Sequence, residues 1–572
     1  MDETRFPSAS RRAVVVLLCL AAGLAADAGN PPLRDAPIKW HEDDQNDIPK
    51  PAERDPNVVA SAVDATFFRP MGRLLNPVRW VRGVGTWFGG DPVGPAANVN
   101  SLDEVPSSSW FTNRIGLFPT TAAEAARGPT TTAGPAHTGS WTIVAAKTEG
   151  VTPGFNVEDV RGDTYVIKFD AQGCPSLATA PGVISGRILH TAGYNVPEDL
   201  IVTVRRDRLV LGDGVMFTPP GEDPRLMTEE DIDELLSRVE RSPDGTWRAL
   251  ASKWLSGGPV GPFDWRGRRK DDPNDRVNHE DRRELRGLRV IAAWIGHYDT
   301  KQGNTLDMYV EEGDRRFVRH YLIDFASTLG AGALGPVPAA SHEYSLDVGL
   351  TMGRALALGL WEDPWRTIER PPGLNEIGLF QSEVFHPLAY KPLEPNTAFA
   401  NFTERDGYWA AKIISAFTDE HLEAIVAEGR YQNPDAARWM ARVLSERRDI
   451  VARYFFDLVA PLDFFVHERG TLMFHDLGVE RAVYDQDATT YRARVAGATP
   501  ERARGSWSEW IELEQTVIEL DSMVQSEAAT IRSAEDQPFL AIEVQVSRWG
   551  RWIASTLVYV ARTSGRVVEL SR

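Results

Sequence analysis

Apolar and polar positions divide the chain into strand-like and helix-like stretches. Residues 142–146 and 164–169 are β-branched and aromatic runs, and the second, T-Y-V-I-K-F, is interrupted by Lys168. Between them lies a loop with Gly150 and Gly154. Residues 181–192 read as a helix: Pro181 suits a first turn, Val183, Ile184, Ile188 and Leu189 mark one face, and Gly193 is a stop. Residues 199–211 predict two strands joined at 205–208. Thr228 and Asp231 form a capping-box pattern for an acidic helix to 239. Asn278 is placed to cap a helix whose face carries Leu285, Leu288, Ala292 and Ile295. The runs 305–310 and 318–323, with Glu311, Gly313 and Asp314 between them, predict a hairpin with a longer loop. Helices follow at 419–428, behind Thr418, and from Asn433-Pro434 to about 459, with Arg447, Arg448 and Arg453 on the polar side. From about 468 the period changes to two, as in Ile542, Val544 and Val546 against Glu543 and Gln545, and predicts a β-rich unit to 572.

The remaining stretches are weakly patterned. Arg11 and Arg12 precede an apolar run, 13–26, that is short for a bilayer span and ends near Ala26-Asp27-Ala28. That is the layout of a signal peptide over 1–28, and it predicts export with no transmembrane span after cleavage. Residues 29–57 read as a disordered tether, and 58–90 as an aromatic and arginine-bearing extension that docks on the main domain. Residues 122–139 and 266–275 read as loops, the second charged and solvated. With 572 residues the chain is long enough for more than one domain. A net charge of −19 argues against non-specific nucleic-acid binding. Cys174 alone follows the signal segment, which excludes an intrachain disulfide and a cysteine-rich metal site.

The predicted hairpin carries chemistry. Closing it sets Asn304, before the first strand, beside Asp324, after the second. An amide oxygen beside a carboxylate is a hard oxygen site suited to Mg²⁺. Asp299, five residues before Asn304, is placed to accept a proton from an attacking hydroxyl.

The stretch H-Y-D-T-K-Q-G-N, followed by a strand pair and D-F-A, resembles the catalytic core of the protein-kinase-like superfamily. His297, Asp299, Lys301 and Asn304 match the catalytic-loop spacing, and Asp324-Phe325-Ala326 stands where D-F-G would. The resemblance implies an α+β, bilobal protein-kinase-like fold, with a small β-rich N-lobe over 141–213 and a larger helical C-lobe over 214–467; an extension over 29–140 precedes it and a C-terminal β-rich domain over 468–572 follows it. It implies Asp299 as base, Lys301 on the γ-phosphate, and Asn304 and Asp324 on Mg²⁺ or Mn²⁺. Lys168 resembles the strand lysine that holds the α- and β-phosphates of ATP; an outward-facing lysine on a half-buried strand fits the same pattern. Gly150 and Gly154 suit either a phosphate-contacting loop or an ordinary turn. Two departures stand out. The 181–192 helix has no acidic residue to pair with Lys168, Gly182 lying about where one is sought, and Ala326 replaces the usual glycine.

The resemblance implies a divergent, atypical phosphotransferase that moves a phosphoryl group from ATP–Mg²⁺ to a protein, lipid or sugar hydroxyl. The alternative is a pseudokinase that binds nucleotide or acts as a scaffold in the cell envelope, and the missing helix acid favours it. A third reading makes the C-terminal β unit the working part of an adhesion protein.

Overall fold

The computed structural model describes residues 31–54, 93–147, 152–219, 223–338, 340–345, 347–356, 363–527, 531, 533 and 535–572. The predicted export signal, the 58–90 extension and Gly150 lie outside them.

The run around Lys168 sits inside a six-stranded sheet. Its strands are β1 (Trp141–Ala146), β2 (Gly154–Glu158), β3 (Thr164–Phe169), β4 (Asp199–Val204), β5 (Leu209–Leu211) and β6 (Trp247–Lys253), in the order β4-β6-β3-β2-β1-β5. Alternation along β3 sends Tyr165, Ile167 and Phe169 into a core with Ile143, Phe155 and Val157. The opposite face is covered by helix α2 (Thr179–Ala192), whose Val183 packs on Ile201 and Leu250. A short helix, α1 (Ala122–Arg127), precedes the sheet where a loop was expected; Thr121 and Glu124 close a capping box around its first turn.

The segment 199–211 forms the two strands expected of it, joined at 205–208, but β4 and β5 lie on opposite edges of the sheet, and β5 runs parallel to β1. Five Cα-to-Cα steps of roughly 3.5 Å, from 204 to 209, cannot cross a flat sheet of strands about 4.8 Å apart, so the sheet curls toward closure. The small β-rich unit also extends past 213, because β6 inserts between β3 and β4 and ends at Lys253.

Beyond the sheet, helix α4 (Arg283–Ile295), after α3 (Glu229–Ser237), is buried along nearly its whole length. It packs with α5 (Glu404–Ile414), α6 (Asp419–Ala427) and α7 (Pro434–Leu458) around Leu288, Ile291, Trp294, Trp409, Val443 and Phe455. Thr418 and Asn433 cap α6 and α7 as the sequence predicts. Asn278 does not cap: a 3₁₀ turn (His279–Asp281) intervenes and α4 starts at Arg283. Arg447 is not on a polar face; its guanidinium lies buried over the Phe380 ring at 3.8 Å.

Residues 31–54 are anchored rather than free. Asp44 accepts from Ser109 N (2.9 Å) and its hydroxyl (2.7 Å), and Ile48 packs on Val260 and Val318. The 266–275 loop is likewise drawn inward, with buried Arg269 pairing buried Asp307 at 3.1 Å.

The C-terminal β unit starts at Leu462, a few residues before the expected 468. Strands Leu462–Glu468, Thr471–Asp476 and Val517–Ile518 form one sheet, and a second is built on the long pair Thr489–Ala498 and Phe539–Arg548. Both feed one core, including Leu462, Leu472, Tyr491, Ile542, Val544 and Val558. Among the described residues no helix is long and apolar enough to cross a membrane.

Candidate active site

The hairpin forms between β8 (Thr305–Glu312) and β9 (Arg315–Leu322), following the edge strand β7 (Gly258–Gly261). Its turn is tighter than expected: pairing continues to Glu312↔Arg315, and Gly313 supplies the positive φ of +63°. At the open end Ile323 N donates to Asn304 O at 3.0 Å, which brings Asn304 next to Asp324 as the pattern requires.

Asp324 has φ +61°, a left-handed conformation that Asp tolerates better than most residues. The turn carries Phe325 into the core, where it meets the His297 ring edge-on at 5.8 Å between centroids. The Asp324 carboxylate stays accessible, and its Oδ1 is 2.9 Å from Lys168 Nζ. Burial works against ionisation of Asp324. The Lys168 ammonium, with Lys147 and Lys301 farther away, nevertheless holds it below the usual carboxylate range. Lys147, just past β1, is a further cation near Asp324; its Nζ donates to Thr152 O at 2.9 Å.

Asp299 is tied to residues of its own loop. Its Oδ2 accepts from Lys301 Nζ (3.1 Å) and Asn304 Nδ2 (3.1 Å), and Asn304 Nδ2 also donates to Asp299 O at 2.7 Å. The amide hydrogens of Asn304 thus point toward Asp299, and its Oδ1 has no partner among the described residues. His297 is buried; Tyr390 donates to its carbonyl at 2.6 Å, and its ring Nδ1 lies 3.4 Å from Ser327 O. Desolvation pushes its imidazole pKa down, so it is a neutral prop and not a proton carrier.

Gly154 is the first residue of β2 and pairs with Lys168. A Cβ there would stand 1.9 Å from the Ile167 carbonyl oxygen, so close strand approach by itself requires glycine. Asp170, just past β3, accepts from the backbone N–H groups of Ser176, Ala178 and Thr179 at 2.8–3.0 Å. It caps α2 from outside the helix and locks the Lys168 strand to it.

No family model and no curated relative matches the sequence. Two solved kinases overlap part of it. A Helicobacter pylori proinflammatory kinase, CtkA, covers 55% of this chain and 99% of its own at 11% identity, with a TM-score of 0.28. A Golgi casein kinase with Mn/ADP bound covers 55% and 73% at 11% identity, with a TM-score of 0.23. Overlaps this loose carry no argument; what the site can do follows from its own side chains.

Among the described residues no group of three or more His, Cys, Asp or Glu side chains is arranged to hold a metal. The oxygen donors available are Asn304 Oδ1 and the Asp324 carboxylate. That set fits Mg²⁺, which takes one or two protein oxygens and completes its shell from phosphates and water.

Proposed function

We propose that the protein is an exported, kinase-like phosphotransferase of bilobal layout that uses ATP with Mg²⁺ or Mn²⁺. The observation that carries the reading is convergence: the Lys168–Asp324 ion pair, from β3 and the turn beyond β9, and the Asp299–Lys301–Asn304 group, from the loop after α4, are held side by side by the Ile323 N to Asn304 O bond. In this reading Asp299 takes the proton of an acceptor hydroxyl as its oxygen bonds to the γ-phosphorus and the bond to ADP breaks. Lys301 offsets charge on the transferred group, and Lys168 orients the α- and β-phosphates. A divalent ion on Asn304 and Asp324 would neutralise the phosphate oxygens. Export is supported by the charged and then apolar pattern of residues 11–28. The acceptor is a protein, lipid or sugar hydroxyl.

The test is transfer from labelled ATP, with self-modification and adenylylation both read out. Asp299→Ala is expected to lower kcat by about 10²–10⁴-fold while nucleotide still raises the melting temperature. Unchanged turnover in that variant would remove Asp299 as base, and no thermal shift with millimolar ATP–Mg²⁺ would remove the nucleotide site.

One observation favours a second reading, a nucleotide-binding pseudokinase. Lys168 sits on Asp324, and α2 offers no acid to draw it away. Thermal stabilisation by ATP–Mg²⁺ with no transfer to any acceptor separates this reading from the first.

A further inference from the structure

Lys168 occupies the wrong partner for a working nucleotide site. Its ammonium is 2.9 Å from Asp324 Oδ1, an oxygen that a divalent ion would need. In the proposed kinase reading, on which this inference rests, the lysine must leave that oxygen and still be held in place. Helix α2 supplies nothing to hold it. A Cβ on Gly182 would stand 2.6 Å from Leu250 Cδ1, and one on Gly186 would meet the Phe325 ring at 3.5 Å. The helix lies against the sheet at its glycines, and no acidic side chain projects from it.

A carboxylate comes instead from the sheet. Asp199 opens β4, and the register Asp199↔Ser252↔Val166 runs beside Ile201↔Leu250↔Lys168. Residues directly opposite across antiparallel strands share a face, so Asp199 and Lys168 lie on the same side, under α2. Asp199 is only 5% exposed, and its Oδ2 is 3.7 Å from where a Gly186 Cβ would be. Its Oδ1 is buried with no hydrogen-bond partner among the described residues. The other charged groups facing it are Arg187, whose Nη1 donates to the Asp199 carbonyl at 3.0 Å, and Asp324.

We propose that Asp199 is the positioning residue for Lys168. When a divalent ion and nucleotide take Asp324, Lys168 releases it and docks on Asp199 Oδ1, so a β-strand carboxylate does the work of the missing helix acid. Burial raises the Asp199 carboxyl to about 6, against the lowering effect of Ser252, Lys168 and Arg187. A buried anion of that kind is stabilised by an arriving cation.

Two arms test the proposal. The first needs no nucleotide: in a crystal structure of Asp324→Asn, Lys168 Nζ is expected within hydrogen-bond distance of Asp199. Lys168 extended to solvent, or on any other group, overturns the proposal. The second arm measures fluorescent-nucleotide affinity with Mg²⁺ in Asp199→Asn, Asp199→Ser and Asp199→Glu. Asn and Ser are expected to weaken Mg²⁺–nucleotide binding about tenfold and to raise KM for ATP more than they lower kcat, with Glu restoring both. Melting temperatures without ligand should be unchanged or higher in Asp199→Asn, which removes a buried charge with one unpartnered oxygen. Wild-type affinity in both Asn and Ser variants overturns the proposal, as does equal loss in Asp199→Glu. If the wild-type chain binds no nucleotide, the kinase reading fails, and the first arm alone still decides whether Lys168 reaches Asp199.

Discussion

Replacing Arg572 tests how the C-terminal sheets are joined to the helices. Its side chain is 2% exposed and its guanidinium is 3.0 Å from Asp463 Oδ2. It also donates to Leu462 O (2.5 Å) and lies 4.6 Å from the Tyr408 ring centroid, on α5. Lys412, also from α5, bridges Asp463 (2.8 Å) and Glu104. Two cations and two carboxylates therefore balance in a buried cluster drawn from four distant parts of the chain. Arg572→Ala leaves two acids facing one ammonium with no water to solvate them. Removing one partner of a buried pair costs about 3–5 kcal/mol, far more than a surface pair. Equilibrium urea unfolding followed by tryptophan fluorescence should show a loss of that size. A double-mutant cycle with Asp463→Asn should recover at least about 2 kcal/mol of it as coupling. A loss below about 1 kcal/mol, or additive single effects, would refute the claim that this cluster joins the β unit to α5.

Glu42 gives a pH signature. Burial, offset by Arg282 and reinforced by Glu284 and Asp44, raises its carboxyl from 4.5 to about 7. Its contribution is therefore full below pH 4.5 and lost as pH rises through 7, by on the order of 3 kcal/mol. Denaturation from pH 4 to 8 should show wild type falling below Glu42→Gln over that window; parallel profiles would refute it. Gly154→Ala places a methyl 1.9 Å from the Ile167 carbonyl oxygen and should cost about 1–3 kcal/mol, read by thermal melting. An unchanged melting temperature would mean that β2 and β3 part freely beside Lys168. Asp170→Ala removes the acceptor of backbone N–H groups at the start of α2 and should cost about 2 kcal/mol. Amide exchange in α2 should accelerate before exchange in α4, and equal protection in both would count against capping from β3.

What could be read from the sequence was local. The hairpin announces itself by alternation around a glycine turn, and one register then fixes Asn304 against Asp324. The caps at Thr228, Thr418 and Asn433 depend on residues at most three positions away. The anchored segment 31–54 was misread because composition averages over a window. Its order comes instead from single buried residues such as Leu33, Asp44 and Ile48, each matched to a distant partner. Arg269 and Arg447 were misread for a related reason. Charged side chains default to the surface, and what draws these inward, Asp307 for one and Phe380 for the other, lies tens of residues away.

The apparent loss of an acid from α2 shows most clearly why local reading stops short. Read along the helix, Gly182 is a gap in a family pattern. Read across the sheet, it is the contact that lets α2 lie on Leu250, because a Cβ there would stand 2.6 Å from the leucine methyl. Along 179–192 the helix carries no carboxylate that could reach Lys168. Nothing in 199–211 identifies Asp199 as the alternative, since its relation to Lys168 exists only once β6, from 247–253, inserts between β3 and β4. The strand order thus brings a buried acid and Lys168 onto one face, an arrangement that no window of sequence contains.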